Sequence, residues 1–375
     1  MNKRGWSVAL LALAISGVAV LLITSRDTSP PMPSPSPESD WFSTLAEEAV
    51  DEFDRLDGPW TLNLPDDHGV HPEGRIETWQ LSAHLTDRDG QPVGLQFLLS
   101  RIGLAGPDAP PPASAWEVRD LYRGHVIIFT SEDAAIYAQE RFGRGMAGLA
   151  GYDGEERELR LDSWALVFQD DADGAHWRLT TGPGDLSMDL ALTIDKDVME
   201  VAGDTVPFRG YAFSRMRVEG TVTTEDGPQP VSGLASFEHL WGDLPIPGGS
   251  PVTTDRLQLQ LDDGSDVSIV RSRRRDGSGT PTLEALLVDA DGAVSQFGDD
   301  EAQAHTARLW QGTEAWPIEW RLKLDDLQLE ITPIIDAQEH RFILPLWAGL
   351  VRAQGQRGDQ PISGLGTLQL TAGQR

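Results

Sequence analysis

The sequence predicts an all-β protein, two antiparallel β-barrels in tandem behind an N-terminal transmembrane helix. Three observations carry this expectation. Asp-Gly pairs, a strong short-range hairpin signal, recur at Asp57, Asp89, Asp153, Asp173, Asp226, Asp263, Asp276 and Asp291. Between them apolar residues alternate with polar ones, as in strands with one buried face. Helix signals are scarce once the first 25 residues are passed.

The N-terminus carries Lys3 and Arg4, then an uncharged, mostly apolar run of 18 residues from Trp6 to Ile23, with Arg26 the next charge. At 1.5 Å per residue the run spans roughly 27 Å, close to the hydrocarbon thickness of a bilayer. The competing reading is a cleaved signal peptide, whose apolar region usually has about 7 to 15 residues and ends at a small-x-small site. This run is longer, and Ile23-Thr24-Ser25 is a poor site, so residues 1–25 are expected to stay as an anchor. Basic residues before the helix favour a cytoplasmic N-terminus, which places the rest of the chain in the periplasm of a single-pass inner-membrane protein. Residues 26–40 follow as a linker. Five prolines and four serines between Ser29 and Ser39 give it an extended, unpacked character.

At 375 residues the chain is long for one core, and the expected division is 41–225 and 226–375. In the first part Trp79, Leu81, Ala83 and Leu85 alternate, and the Asp89-Gly90 turn leads to Val93, Leu95, Phe97 and Leu99. In the second, Trp316, Ile318, Trp320, Leu322 and Leu324 lead through Asp325-Asp326 to Leu327, Leu329 and Ile331. A two-residue turn there keeps both apolar sets on one face. Around Asp263-Gly264 a two-residue turn would set Val267 opposite Gln260 and split the apolar face, so a three-residue loop or a bulge is expected. Two short helices are expected outside the sheets, Thr44 to Leu56, and from Ser131 to about Phe142, where Ser131 caps and Glu132 and Asp133 fill the first turn. Closing the sheets into barrels removes their exposed edges, and barrels of this size commonly hold one small apolar ligand.

Composition excludes several functions. With 59 acidic and 30 basic side chains the formal charge is −29, so no surface suits a phosphate backbone and no nucleic-acid partner is expected. Without cysteine there is no disulfide, zinc–thiolate site, thiol nucleophile, iron–sulfur cluster or cysteine-linked lipid. Neither a Gly-rich phosphate loop nor a Gly-x-Ser-x-Gly elbow is present, and no cofactor is expected.

Two segments gather chemistry-bearing residues. Asp66-Asp67-His68-Gly69-Val70-His71-Pro72-Glu73 places two histidines and three carboxylates within eight residues. A metal there would need a third ligand from elsewhere; the plainer reading is a turn whose side chains bond the backbone, and no metal is expected. Ser236-Phe237-Glu238-His239-Leu240-Trp241-Gly242 sets an acid among aromatic rings. A carboxyl buried there can act as a general acid while the rings face a cationic intermediate. Alternatively, Glu238 and His239 form an ordinary hydrogen-bonded pair in an interface plug.

These segments, in this order, resemble the family that joins AttH-type lipocalin-like proteins with bacterial carotenoid 1,2-hydratases. Asp67-His68, His71-Pro72 and Glu77-Thr78-Trp79 resemble its opening. Arg215, Gly220, Val231-Ser232-Gly233 and Glu238-His239-x-Trp241-Gly242 resemble its central run. Leu259-x-Leu261-Asp262-Asp263-Gly264, Trp316-Pro317-Ile318-x-Trp320, Trp347-x-Gly349 and Gly364-x-Gly366-x-Leu368-x-Leu370-Thr371 resemble its later motifs. The resemblance implies two lipocalin-like barrels and, for some members, a link to ABC-type export systems. Its hydratases carry a catalytic aspartate where this chain has Glu238, with Ser236 and Leu240 replacing a Trp and a Glu beside it.

The first functional expectation is a periplasmic, membrane-anchored lipocalin-like protein that binds an apolar small molecule, accessory to an ABC-type permease. The alternative is a hydratase or hydrolase with Glu238 as general acid beside His239 and Trp241. In both, His68, His71, Glu77, Trp79 and Phe237 line the ligand.

Overall fold

The computed structural model describes Phe53, Leu56 and residues 60–130, 137–171, 174–182, 187–202, 208–224, 227–242, 252–274 and 278–372. The expected membrane helix, the linker and nearly all of Thr44 to Leu56 lie outside these residues. Among the described residues no helix is long and apolar enough to cross a membrane.

Strands account for almost all regular structure. The first sheet holds β1 (Ile76–Asp87), β2 (Pro92–Gly103), β3 (Asp120–Thr130), β4 (Tyr137–Arg144), β5 (Ala150–Asp153), β6 (Glu158–Leu161), β7 (Trp164–Val167), β8 (Asp170–Asp171), β9 (Gly174–Thr181), β10 (Ser187–Ile194), β11 (Met199–Ala202), β12 (Phe208–Thr224) and β13 (Gly227–Gly242). The second holds β14 (Val252–Leu261), β15 (Asp266–Arg274), β16 (Thr282–Val288), β17 (Val294–Phe297), β18 (Ala302–Gln311), β19 (Ala315–Leu324), β20 (Leu327–Pro333), β21 (Glu339–His340), β22 (Leu346–Arg357) and β23 (Gln360–Thr371).

The first sheet runs β4-β3-β2-β1-β13-β12-β10-β9-β7-β6-β5, with β11 on β12 and β8 on β9. It nearly closes on itself. A Cβ at Gly143 of β4 would meet Leu161 of β6 at 2.6 Å and Ala150 of β5 at 2.9 Å, so glycine lets the two ends come together. The second sheet runs β17-β16-β15-β14-β23-β22-β20-β19-β18 and stays open between β17 and β18. It is a half-barrel, which corrects the expectation of two complete barrels: Val294 on one edge strand and Leu309 on the other are exposed.

One further expectation is corrected. Tyr137–Arg144 is a strand on the free edge of β3, pairing Leu121 with Arg144 through Ile128 with Tyr137; unpaired backbone on that edge wins over the local helix signal. Residues 131–136 of the expected helix lie outside the described residues. Strand β13 lies between β1 and β12, and the change of sheet falls between Gly242 and Val252.

Hairpin registers follow the apolar pattern. Leu85 faces Val93 around loop residues 88–90, with Gly90 at φ 81°. Leu261 N–H donates to Ser265 O at 2.8 Å across residues 262–264, a three-residue loop that sets Leu259 opposite Val267. Leu324 faces Leu327 across Asp325-Asp326. One core fills the first sheet, with Trp79, Leu81, Phe97, Trp164, Trp177, Tyr211 and Phe237 fully buried. A second core fills the half-barrel around Trp316, Trp320 and Trp347.

The sheets are joined by polar contacts as much as by apolar ones. Buried Asp266, at the start of β15, accepts from Ser214 Oγ at 2.9 Å and Arg215 Nη2 at 2.7 Å and pairs with Lys196 Nζ at 2.8 Å. Lys196 also donates to the carbonyls of Gly264 and Asp289, each at 2.8 Å. Ser214 and Arg215 sit where β12 slips register against β13, between Phe213 and Met216, and the bulge turns both toward the second sheet. Nearby, Ile127 and Phe129 of β3 pack on Leu346, Ala348 and Leu350. Removing the Asp266 charge leaves Lys196 and Arg215, both largely buried, without the carboxylate they share. Asp266→Asn is therefore expected to cost about 3 to 5 kcal/mol in urea unfolding. A change within about 0.5 kcal/mol, as for a surface substitution, would contradict this.

Candidate functional site

At one end of the first sheet, the segment before β1 folds inward. Asn63 donates from its backbone to Asp67 Oδ2 at 2.7 Å, and Asp66–His68 forms a single 3-10 turn. Gly74 then passes so close to β13 that a Cβ would lie 2.9 Å from the Gly242 nitrogen. This brings His68 and His71 against β1, β12 and β13.

Strand alternation selects the rest. Glu77 and Trp79 on β1 share the inward face with Leu81 and Ala83, and Phe237, His239 and Trp241 do so on β13. Register sets Trp79 beside His239, and His239 beside Tyr211 of β12, so the three residues form one row across β1, β13 and β12.

Glu77, fully buried, is the centre. Its Oε1 accepts from His239 Nε2 and His71 Nδ1, both at 2.9 Å, and from the His71 backbone N–H at 3.0 Å. Its Oε2 accepts from Arg101 Nη1 at 3.2 Å. Arg101 comes from β2 and also donates to Asp120 at 2.7 Å and to the Gly74 carbonyl at 3.0 Å. Aromatic rings wrap the histidines. His71 stacks on Trp241 with centroids 3.6 Å apart, and His239 stacks on Trp79 at 4.6 Å.

This environment sets the protonation states. Burial opposes a charge on Glu77, but hydrogen bonds from His239 and His71 and the Arg101 charge outweigh it, holding the carboxyl at about 2. Burial pushes His239 down to about 4, with the Glu77 bond only partly offsetting it. Burial also acts on His71, yet the bond to Glu77 and the surrounding carboxylates raise it above its ordinary value. Neutral His239 must carry its proton on Nε2, facing Glu77. Its Nδ1 is then a bare acceptor, buried, with no donor among the described residues.

A second chain of hydrogen bonds enters the same interior. Asp170 Oδ2, at the rim, lies 2.8 Å from His68 Nε2, and His68 Nδ1 lies 2.5 Å from the Tyr211 hydroxyl. His68 and Tyr211 are fully buried, whereas the Asp170 side chain is 26% exposed. His68 also stacks on Phe168, and Trp177 donates to Asp170 at 3.2 Å.

The structure thus brings together His68, His71, Glu77, Trp79, Phe237, His239 and Trp241 of the residues expected from sequence. It does not bring Glu238 there. Glu238 points to the opposite face of β13 and pairs with Arg256 of the second sheet. Arg101, Tyr211 and Asp170 escaped the sequence reading. A signal existed for Arg101, a cation in phase with Phe97 and Leu99 on an apolar face, where only a buried carboxylate can satisfy it.

One donor from each of His71, Glu77 and His239 lies within 4.8 Å of the others, the donor set of a divalent-metal site. The fit is poor. Both ring nitrogens already face Glu77, and Arg101 shares its carboxylate, so an added cation would meet a guanidinium.

The chain matches the family model described as AttH-like over residues 55–373. Among solved structures it is similar to an AttH protein of Nitrosomonas europaea, at 23% identity over 86% of this chain and 100% of that one, with a TM-score of 0.69. It is also similar to kievitone hydratase of Nectria haematococca, at 12% identity over 86% of this chain and 98% of that one, with a TM-score of 0.60. At these identities the likeness concerns the fold. No curated protein matches the chain.

The lowered value of Glu77 makes a signed prediction. Its folded value, about 2, lies below the ordinary 4.5, so its contribution to stability is complete above 4.5 and is lost as pH falls from 4.5 toward 2. Glu77→Gln is expected to cost about 3 to 5 kcal/mol near neutral pH and to flatten stability across that acid window. Urea unfolding at a series of pH values checks both; an equally acid-sensitive variant would contradict them.

Proposed function

Because the chain belongs to the AttH-like family, with nearly its whole length matched, we propose that it binds an apolar, unsaturated small molecule in the first barrel and adds water to it or removes water from it. The observation that carries this reading is the buried His239 Nδ1. Buried polar atoms in folded proteins are almost always paired, and one left as an acceptor among aromatic rings is suited to a ligand or a reacting water. Glu77 fixes the tautomer of His239 and stabilises the cation formed when Nδ1 takes a proton, the role a carboxylate plays behind a catalytic histidine. Trp79, stacked on His239, with Trp241 and Phe237 nearby, makes the surroundings of that nitrogen apolar and aromatic, which suits an unsaturated ligand. The fold shared with kievitone hydratase supports hydration chemistry.

The proposal includes a place in the cell. Lys3 and Arg4 before the apolar run, and the proline-rich linker after it, support a periplasmic protein tethered to the inner membrane. An ABC-type exporter as supplier or recipient of the ligand rests on the family resemblance alone.

The test is incubation in heavy-oxygen water with a panel of conjugated and isolated alkenes, followed by mass spectrometry for label incorporation. Wild type is expected to label at least one member. His239→Gln keeps a donor for Glu77 but has no basic lone pair, so it should lose about a hundredfold or more in rate while ligands still quench tryptophan fluorescence. Binding without labelling by wild type would leave a carrier and remove the enzyme.

A further inference from the structure

The half-barrel carries a polar cluster at one end of its interior. At that end, away from the turns at 262–264 and 325–326, β14, β16 and β19 begin while β15, β17, β18 and β23 finish. On β14, Thr253 and Asp255 share the inward face with Leu257 and Leu259, and register sets Thr253 beside Arg273 and Asp255 beside Arg271 of β15. Asp255 is fully buried. Its Oδ2 accepts from Arg271 Nη2 at 2.7 Å, Arg271 Nε at 3.0 Å and Arg273 Nε at 3.1 Å, and its Oδ1 from Arg273 Nη2 at 3.2 Å. Arg271 also donates to Thr306 Oγ1 at 3.3 Å, and its guanidinium lies 4.3 Å from the centre of the Trp320 ring.

Two guanidiniums therefore share one carboxylate, and neither pairs with a second among the described residues. One positive charge is left over, on a chain with 59 acidic and 30 basic side chains. Charges held out of water are ordinarily matched by a partner. Two further groups at this end have none. Thr253 Oγ1, opposite Arg273, and Trp316 Nε1, on the inward face of β19 with Trp320, are buried without a hydrogen-bond partner among the described residues. Such atoms are rare in folded proteins. The guanidiniums, the hydroxyl and the indole N–H are all donors, and the group that satisfies donors and a surplus positive charge together is an oxyanion. Its surroundings are apolar. Phe297 of β17 and Trp310 of β18, on the two edge strands between which the sheet stays open, are partly buried against the core that contains Trp316 and Trp320.

We propose that this end of the half-barrel binds a small apolar carboxylic acid. Its carboxylate accepts from Arg271, Arg273 and the Thr253 hydroxyl, and its apolar body lies against the aromatic rings at the opening. A carboxylate fits better than a phosphate monoester because it brings one negative charge to one uncompensated positive charge, and its two oxygens match the forked N–H groups of a guanidinium. The Arg273 side chain is 23% exposed, so the ligand reaches it from solvent. The cluster also has a structural share, since Arg273 donates to the Thr371 carbonyl and ties β15 to β23. That share does not use the Thr253 hydroxyl. The site is separate from the histidine cluster of the first barrel and does not depend on the reaction proposed there.

Isothermal titration calorimetry of the full chain tests this by comparing 2-naphthoate with 2-naphthamide, the same ring system with an uncharged head. Naphthoate is expected to bind about tenfold or more tightly than the amide. Arg273→Gln and Thr253→Val should each weaken naphthoate by about tenfold and leave the amide unchanged. Valine keeps the shape of threonine, so Thr253→Val carries the test if Arg273→Gln does not fold, and urea unfolding checks both. Equal binding of acid and amide, binding of neither, or naphthoate affinity unchanged in the folded variants would overturn the assignment. So would naphthoate binding that is lost in His239→Gln, which would place the ligand in the first barrel. Tighter binding of 2-naphthyl phosphate than of naphthoate would overturn the choice of a carboxylate.

Discussion

A fully buried carboxylate has to be surrounded by donors, and Glu77 organises one end of the first barrel by that requirement. Its oxygens accept from side chains on β2 and β13 and from both the side chain and backbone of His71. Without it, Arg101 would be a buried cation with only Asp120 for compensation, the segment from Asp66 to Gly74 would lose its main attachment, and His239 would lose the acceptor that decides which nitrogen holds its proton. Fold closure and site chemistry therefore share one group.

The same economy appears between the sheets. Asp266 gathers Lys196, Ser214 and Arg215 from the first sheet onto the first strand pair of the second. Arg215 and the Leu-x-Leu-Asp-Asp-Gly segment, both part of the family resemblance, thus meet in a joint outside the histidine cluster. Glu238 serves a similar end through Arg256, and Gln80 through Gln369 at 3.0 Å. The motif that resembles a catalytic signature in sequence is divided by strand alternation, His239 facing inward to Glu77 and Glu238 outward to Arg256 of the second sheet.

Much of the fold was legible because period-two alternation and Asp-Gly turns act locally. The three-residue loop after Leu261 and the two-residue turn after Leu324 follow from keeping apolar residues on one face. Less legible was anything set by pairing distant in sequence. The segment from Ser131 to Phe142 has the acidic start and length of a short helix, and from Tyr137 on it is a strand because β3 offers an edge. Strand β13 pairs with β1, about 150 residues earlier in register, which no local pattern reveals. In the site, His68 and His71 stood out as clustered polar residues and Glu77 through the family resemblance, while Tyr211 and Asp170 reached it only through the register of β12 and the short β8–β9 pairing.

Burial holds His239 neutral while Glu77 keeps its proton on Nε2, which leaves Nδ1 a bare acceptor. Two-dimensional NMR of protein labelled with nitrogen-15 histidine, with His239 assigned by difference from His239→Gln, reads this directly. A neutral Nε2–H imidazole is expected from neutral pH downward until it titrates near 4. A ring protonated on Nδ1, or an imidazolium already present near neutral pH, would contradict it.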